Sequence, residues 1–467
     1  MWLCDRRRLP ELPFGCIGPI PCGRPGLPAS DSLESRAAAL AAFIPQPGHD
    51  RAPRSPCKPM KSLSLSRPAI LASAVLAAGL AFAQQPSTPQ PAAPAAAAAL
   101  SDNLPVPPAP APATSKAWLV MDYATGKVLA GENVDTPVEP ASITKVMTSY
   151  VIAAEMAAGK VKADDAVMMT ENAWRSGGAG TDGSYSGFEV NQPAPLEQME
   201  KGMVVQSGND AAIALAEHVA GSEAAFASLM NAYAKKIGMK ASHFVNPHGL
   251  PAEGHMTTAH DLALLGRALI RDYPVAYSYN KIKEFTVGPI TQPNRNLLLW
   301  RDPSVDGIKT GHTSSAGYCL MASAMRGDQR LITVVMGDTS ENQRAVDSQA
   351  LLNWGFRFFE THRIYAPNAR IATHKVWKGQ ADEVALGVAA PLLVSTPRGK
   401  YAQLKPSMDI AKVIEAPIRK GQQLGTVKVV LDGKVVAQQP LVALSAVEQA
   451  GFFKRLWHGF LMWWASV

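Results

Sequence analysis

Apolar and polar positions follow two rhythms along this chain, and the place where the rhythm changes organises it. The run KAWLVMDYATGKVLAGEN, from Lys116, holds two apolar stretches around Ala124-Thr125-Gly126, which predicts a β-hairpin. Pro140 then precedes Ser142 and the run ITKVMTSYVIAAEMAAG. There Ile143, Val146, Met147 and Tyr150 form a helical stripe that ends at Gly159. Helical patterns recur at Pro195–Val205, Asp210–Ala220, Glu223–Ile237 and Ala259–Arg271. The period then changes: Ser304–Thr310, Gly317–Met325 and Arg330–Asp338 read as successive strands, the last two joined at Arg326-Gly327-Asp328. Glu341–Glu360 closes the region as an amphipathic helix. The expectation is a sheet made from both ends of a domain, with helices inserted between.

From about Ile371 to Leu444 the pattern becomes short apolar runs such as LLVST, GTVKVVLD and KVVAQQPL, separated by Gly or Pro. That predicts a small all-β domain. The end of the chain differs again. Across Val447–Trp464 a helix would gather Phe453, Leu456, Trp457, Phe460 and Trp464 on one face, with Lys454, Arg455, His458 and Glu448 away from it. The apolar run is too short to span a bilayer, so the pattern suits a helix lying in a membrane interface, the other reading being a helix docked on the core.

Charge changes the picture mainly by where it sits. The 467 residues carry 45 Lys+Arg and 38 Asp+Glu, a formal +7 that could suggest a nucleic-acid or membrane partner. Residues 1–59 hold eight basic and five acidic side chains, eleven Pro, and four of the five Cys (Cys4, Cys16, Cys22, Cys57) in spacings that form no C-x-x-C. They show no sustained apolar period and read as unstructured. Met60 opens a second start: Lys61 and Arg67, the apolar Ala69–Leu80, and Ala81-Phe82-Ala83 describe a secretory signal peptide over 60–83. Residues 1–59 are then read as an upstream over-extension of the reading frame. Residues 84–115 are a Pro/Ala-rich linker, whose composition buries nothing. From Gln84 onward the net charge falls to +2 and only Cys319 remains, expected as a buried apolar residue. A nucleic-acid partner thereby loses its support.

Three short motifs occur in order: Ser142-Ile-Thr-Lys145, Ser207-Gly-Asn209 and Lys309-Thr310-Gly311. S-x-x-K also occurs at Ser55–Lys58 and Ser278–Lys281, and S-x-N at Ser101, Ser278 and Ser340, whereas K-T-G occurs once. Ser142 opens a helix, so Lys145 lies on the same face one turn later and can point its amine at the hydroxyl. A serine hydroxyl is a poor nucleophile until a neighbouring base takes its proton, and a lysine serves as base only when burial or a second cation lowers its pKa. Lys309 could be that cation. By itself Ser142 could equally be a helix cap and Lys145 a solvated first-turn residue. Ser207-Gly208-Asn209 falls in a loop between two helices, where Ser207 could relay a proton and Asn209 could bind a substrate amide or orient Lys145. An ordinary turn capping the next helix is the plainer alternative. Lys309-Thr310-Gly311 lies in a strand able to pair with an extended peptide. Gly311 would let a ligand backbone approach, and the His312 and Ser142 amides could bind an oxyanion; otherwise Gly311 simply breaks the strand.

Together the three motifs form the set shared by penicillin-binding proteins and β-lactamases. With the blocks PASITKVMT, VVQSGNDAAIALAEHVAG, NPHGL and DGIKTGHTSSAGYC, the chain resembles the serine-type D-alanyl-D-alanine carboxypeptidases among the low-molecular-mass penicillin-binding proteins, from about Lys116 to the end. That resemblance implies an α/β fold: a penicillin-binding/β-lactamase-like transpeptidase domain at 116–365, with helices on both faces of an antiparallel sheet. A small β-sandwich at 366–445 and an amphipathic membrane-anchoring helix at 446–467 follow. It further implies Ser142 as acyl-ester nucleophile, Lys145 as base, Ser207 as proton relay with Asn209, and Lys309, Thr310, Gly311 and His312 as substrate strand. The expected activity removes the terminal D-alanine from peptidoglycan stem pentapeptides. β-Lactams are expected as inhibitors, the outer face of the inner membrane as location, and no cofactor or metal. Alternatives are a D,D-endopeptidase, a class A-like β-lactamase and a non-catalytic wall-binding or penicillin-sensing module. A class A β-lactamase uses a dedicated Glu, which the stretch His243–Leu250 does not contain. The dead-site module would have lost Ser142 or Lys145. One departure from the family is the Gly-rich segment Arg175–Phe188.

Overall fold

Residues with alternating side-chain directions can be buried on both faces only if something covers each face, and Ala117–Asp122 is buried throughout. A computed structural model describes residues 106–178 and 183–466. Residues 1–59, the signal peptide and most of the linker lie outside the described residues, as do 179–182 of the Gly-rich segment.

In chain order the first domain comprises β1 (Ala117–Asp122), β2 (Val128–Glu132), α1 (Thr144–Ala157), β3 (Ala166–Met168), α2 (Glu171–Gly177), β4 (Pro193–Pro195), α3 (Leu196–Val205), α4 (Asn209–Ala220) and α5 (Glu223–Ile237). It continues through α6 (Ala259–Asp272), α7 (Pro274–Ser278), β5 (Glu284–Val287), β6 (Ile290–Pro293), α8 (Leu298–Arg301), β7 (Val305–Thr313), β8 (Gly317–Arg326), β9 (Gln329–Asp338) and α9 (Glu341–Phe358). The five-stranded sheet runs β2-β1-β9-β8-β7, antiparallel throughout, so its first and last strands in sequence meet at β1 and β9. Leu119, Met121, Ile332 and Val334 face one core with α1 and α3 to α6, while Trp118, Val120, Leu331 and Val335 face a second with α8 and α9. Helices therefore cover both faces. Cys319 is buried in the first core.

Local sequence sets the helix ends. Ser222, Thr258 and Ser340 cap α5, α6 and α9 through side-chain oxygens that accept the N–H of Ala225, Asp261 and Gln343, worth about 1 kcal/mol each. Gly238 ends α5 with φ of 96°. Gly266 brings α6 onto the sheet: a Cβ there would sit 2.6 Å from Met321 Sδ.

Phe359–Tyr365 is β10, and it pairs with β13 (Leu392–Pro397) rather than with the first domain's sheet. The boundary expected after residue 365 therefore moves to 359, because those residues' ladder bonds go to the second domain. There β11 (Arg370–Lys375), β12 (Glu383–Gly387), β14 (Lys405–Ile410), β15 (Gln423–Leu431) and β16 (Lys434–Ala443) form a sheet in the order β11-β12-β16-β15-β14.

Two further expectations need correction. The described end of the Pro/Ala-rich segment does bury surface. Val106 and Ala109 pack against the second core, Pro107 O accepts from Trp354 Nε1 at 3.0 Å, and Thr114 and Ser115 donate to Asp338. The terminal helix starts later than Val447: Val447 bridges Ile418 and Gln449 bridges Gly379 as extended chain, and α10 spans Phe452–Ser466. Backbone pairing satisfies those amides before the helix begins. No helix among the described residues is long and apolar enough to cross a membrane.

Candidate active site

Proline and small residues bring the Ser142 segment out of helical geometry just before α1. Ala141 takes φ of 47°, residues Ala141–Ile143 make a 3-10 turn, and α1 begins at Thr144. Ser142 makes no capping bond to that helix, so its hydroxyl is not absorbed by a cap. Lys145, one turn on, is buried to 1% exposure. Its Nζ donates to Ser142 Oγ at 2.9 Å, Asn209 Oδ1 at 2.7 Å and His248 O at 2.7 Å. These three acceptors account for all the protons an ammonium has.

Burial is the largest influence on this lysine, followed by the Arg295 guanidinium; the Asp210 carboxylate pulls the other way, and the result is a pKa lowered to about 7. Lys309 is also buried and is held well below the usual lysine range by burial, then by Lys145, Arg295 and Arg344. Its Nζ donates to Ser207 Oγ at 3.0 Å and Thr310 O at 3.2 Å. Two cations therefore bear on this lysine: the Arg295 guanidinium, which the sequence did not flag, and Lys309, which Lys145 repels in turn.

Ser207, which accepts from Lys309, has a left-handed backbone with φ of 64°, a conformation uncommon outside glycine. Asn209 opens α4, and its side chain orients Lys145, one of the two roles anticipated. Gly311 also permits a close contact within the protein. A Cβ there would meet Ala141 Cβ at 3.1 Å and Ser142 N at 3.2 Å, so the glycine lets β7 close on the serine's own turn. Thr310 is buried beside it, whereas His312 is exposed and stacks on Tyr318 with ring centroids 4.0 Å apart.

The NPHGL block presses in from the other side. Asn246 Oδ1 accepts from Gly249 N at 2.7 Å, and a Cβ on Gly249 (φ 94°) would lie 1.9 Å from Ala141 O. Only glycine allows that approach. Ser142, Lys145 and Asn209 are thus joined by hydrogen bonds, Lys309 is joined to Ser207 and Thr310, and β7 packs Gly311 against the Ser142 turn, with His312 exposed next along the strand. Three contributors went unnoticed in the sequence: His248 through its carbonyl, Arg295 as a cation, and Arg344, whose Nη1 donates to Gly311 O at 3.0 Å. A carbonyl has no sequence signature, and single arginines far along the chain carry none either. Among the described residues no group of three or more His, Cys, Asp or Glu could hold a metal ion.

Residues 105–340 match the family model described as D-alanyl-D-alanine carboxypeptidase. The chain belongs to that family. Residues 359–449 match the model for the C-terminal domain of penicillin-binding protein 5, which agrees with the boundary at β10. Among relatives of this carboxypeptidase chain, D-alanyl-D-alanine carboxypeptidase DacC of Escherichia coli K12 is 47% identical over 351 residues, covering 74% of this chain and 88% of that protein. DacF of Bacillus subtilis 168 is 36% identical over 343 residues, covering 72% and 87%. The crystal structure of penicillin-binding protein 5 from Haemophilus influenzae matches with a TM-score of 0.70 and 38% identity, covering 74% of this chain and all of that one.

Proposed function

We propose that this D-alanyl-D-alanine carboxypeptidase removes the terminal D-alanine from peptidoglycan stem pentapeptides through an acyl-enzyme on Ser142. The observation that carries the reading is Lys145 Nζ, buried and drawn down to about 7, standing 2.9 Å from Ser142 Oγ. With Lys145 as the uncharged amine, Ser142 Oγ attacks the carbonyl carbon of the penultimate D-alanine and gives its proton to Lys145 Nζ. The tetrahedral oxyanion sits at the Ser142 and His312 amides. The C–N bond breaks as Ser207 Oγ passes its proton to the leaving amine and takes in its place the proton held on Lys145 Nζ, a transfer that Lys309 beside Ser207 favours. Lys309, Thr310 and Gly311 hold the substrate strand, with Asn209 keeping Lys145 aimed. Water then attacks the ester and frees the shortened peptide, returning Ser142 to its starting state. β-Lactams, whose amide resembles the scissile one, acylate the same oxygen.

The stretch His243–Leu250 offers Lys145 a carbonyl rather than a carboxylate. This favours a carboxypeptidase over a class A-like β-lactamase, and the intact Ser142–Lys145 pair argues against a non-catalytic module. We further read the protein as exported, with α10 lying on the outer face of the cytoplasmic membrane. Phe453 is 83% exposed and Trp464 69% exposed, while the helix's polar side contacts protein. There Lys454 Nζ pairs with Asp382 at 2.8 Å and His458 Nδ1 accepts from Lys378 N at 2.8 Å. The apolar face is thereby turned outward.

The deciding experiment measures D-alanine release from a pentapeptide, and the mass of the protein after penicillin treatment, for wild type and Ser142→Ala. Wild type should release D-alanine and gain one penicillin on the peptide containing Ser142. Equal release by both proteins would overturn the mechanism.

A further inference from the structure

The described parts of the Gly-rich segment Arg175–Phe188 are tied to the start of α4. Gly177 ends α2 against α4: a Cβ there would lie 2.4 Å from Asp210 N. A Cβ on Gly208 would lie 2.7 Å from both Asp210 Oδ1 and Ser186 Cβ. Small residues are what let these backbones meet. Asp210 then fastens the returning strand of the segment, accepting from Ser186 N at 2.9 Å and Ser186 Oγ at 2.7 Å. Two residues earlier, Ser184 O accepts from Asn209 N at 2.7 Å. The segment therefore carries Ser184 at a fixed place, one backbone hydrogen bond from Asn209, whose side chain accepts from Lys145.

What Ser184 does there is bind a cation. Its Oγ accepts from Arg295 Nη1 at 2.5 Å, and at the other end of that residue Arg344 Nη2 approaches Arg295 O at 3.5 Å. Arg295 is otherwise exposed, a long side chain with many rotamers. We propose that Ser184 is a positioning residue that holds the Arg295 guanidinium beside the two buried lysines. This rests on Lys145 being the base of the reaction.

The charged and titratable groups that face Lys145 come from four elements: Asp210 from α4, Lys309 from β7, His248 from the NPHGL loop, and Arg295 from the segment between β6 and α8. Of these Arg295 is the exposed cation, its guanidinium held among the described residues by the Ser184 hydroxyl. Freed from Ser184, its guanidinium spends more time in solvent. Its repulsion of a protonated Lys145 then weakens, and the base keeps its proton to higher pH.

The test is the pH profile of second-order acylation by a chromogenic penicillin, measured for wild type, Ser184→Ala, Arg295→Gln and the double variant. In wild type the rate should rise with pH through an inflection near that of Lys145. Each single change should move the inflection upward by about half a pH unit, an exposed cation being partly screened. The double variant should move it no further than Arg295→Gln alone, because the serine acts through the arginine. The displacement should also shrink in about 1 M salt. A Ser184→Ala profile lowered in height but unmoved in pH would mean that the serine merely braces the loop, and would overturn the inference. Additive shifts in the double variant would overturn it too. A wild-type profile with no acid limb would remove the base reading and this inference with it.

Discussion

The cleft and the terminal helix depart from ordinary globular structure in opposite senses. Around Ser142 the molecule buries two lysines, Lys145 and Lys309, that would each be better solvated outside. At α10 it leaves Phe452, Phe453, Leu456, Trp457, Phe460, Trp463 and Trp464 in the open and turns the polar side toward protein. Each arrangement destabilises the chain taken alone. The buried lysine is tolerated because every proton of Lys145 finds an acceptor; for the helix, the reading proposed above supplies a lipid surface as the missing partner. On the function proposed above, both departures are places where activity overrides the rule that charge stays out and apolar surface stays in.

The comparison breaks most sharply at Lys145. Lys145→Ala should lower penicillin acylation and D-alanine release about a thousandfold or more, followed by stopped-flow and D-alanine detection. The same assays on Phe453→Asp/Trp457→Asp should stay within about twofold of wild type. Binding of that variant to anionic vesicles in a sedimentation assay should fall about a hundredfold, since two aromatic side chains no longer enter the interface.

Glu200 sharpens the cleft side. It lies buried in α3, accepting from Ser149 Oγ of α1 at 2.5 Å, and burial lifts its carboxyl to about 7. Because the folded value lies above the unfolded one, its contribution to stability is complete below about pH 4.5 and is lost as pH rises through about 7. Urea unfolding of Glu200→Gln, which keeps the acceptor, should show about 2 kcal/mol less loss between pH 5 and pH 7.5 than wild type. The smallest effect belongs to the tail. Lys454→Ala should shift the melting temperature by about 1 °C or less, its partner Asp382 being in solvent.

Chain periodicity already placed the long elements. Glu223–Ile237 runs as drawn, and β7, β8 and β9 differ from the expected strands by a few residues at their ends. The convergence of S-x-x-K, S-x-N and K-T-G was legible because chemistry fixes residue types at short spacing. What stayed hidden depends on tertiary contact. The helix α2 is too short for a period, and β3–β4 and β5–β6 pair over three or four residues each. Gly311 reads as room for a ligand, and only the fold shows that Ala141 packs against it as well. Arg344 looks like one more charge on α9, yet it is 2% exposed and serves the carbonyl of Gly311.

The site closes over long stretches of chain: Lys145 reaches Asn209 across 64 residues, and Lys309 reaches Ser207 across 102. No partly folded fragment holds a competent nucleophile, since the serine, its base and the strand opposite arrive from separate parts of the sequence. Such non-local closure comes late in folding. Covalent penicillin labelling therefore doubles as a stopwatch: on refolding from urea, the first labelled molecules are those whose last long-range strand has come home.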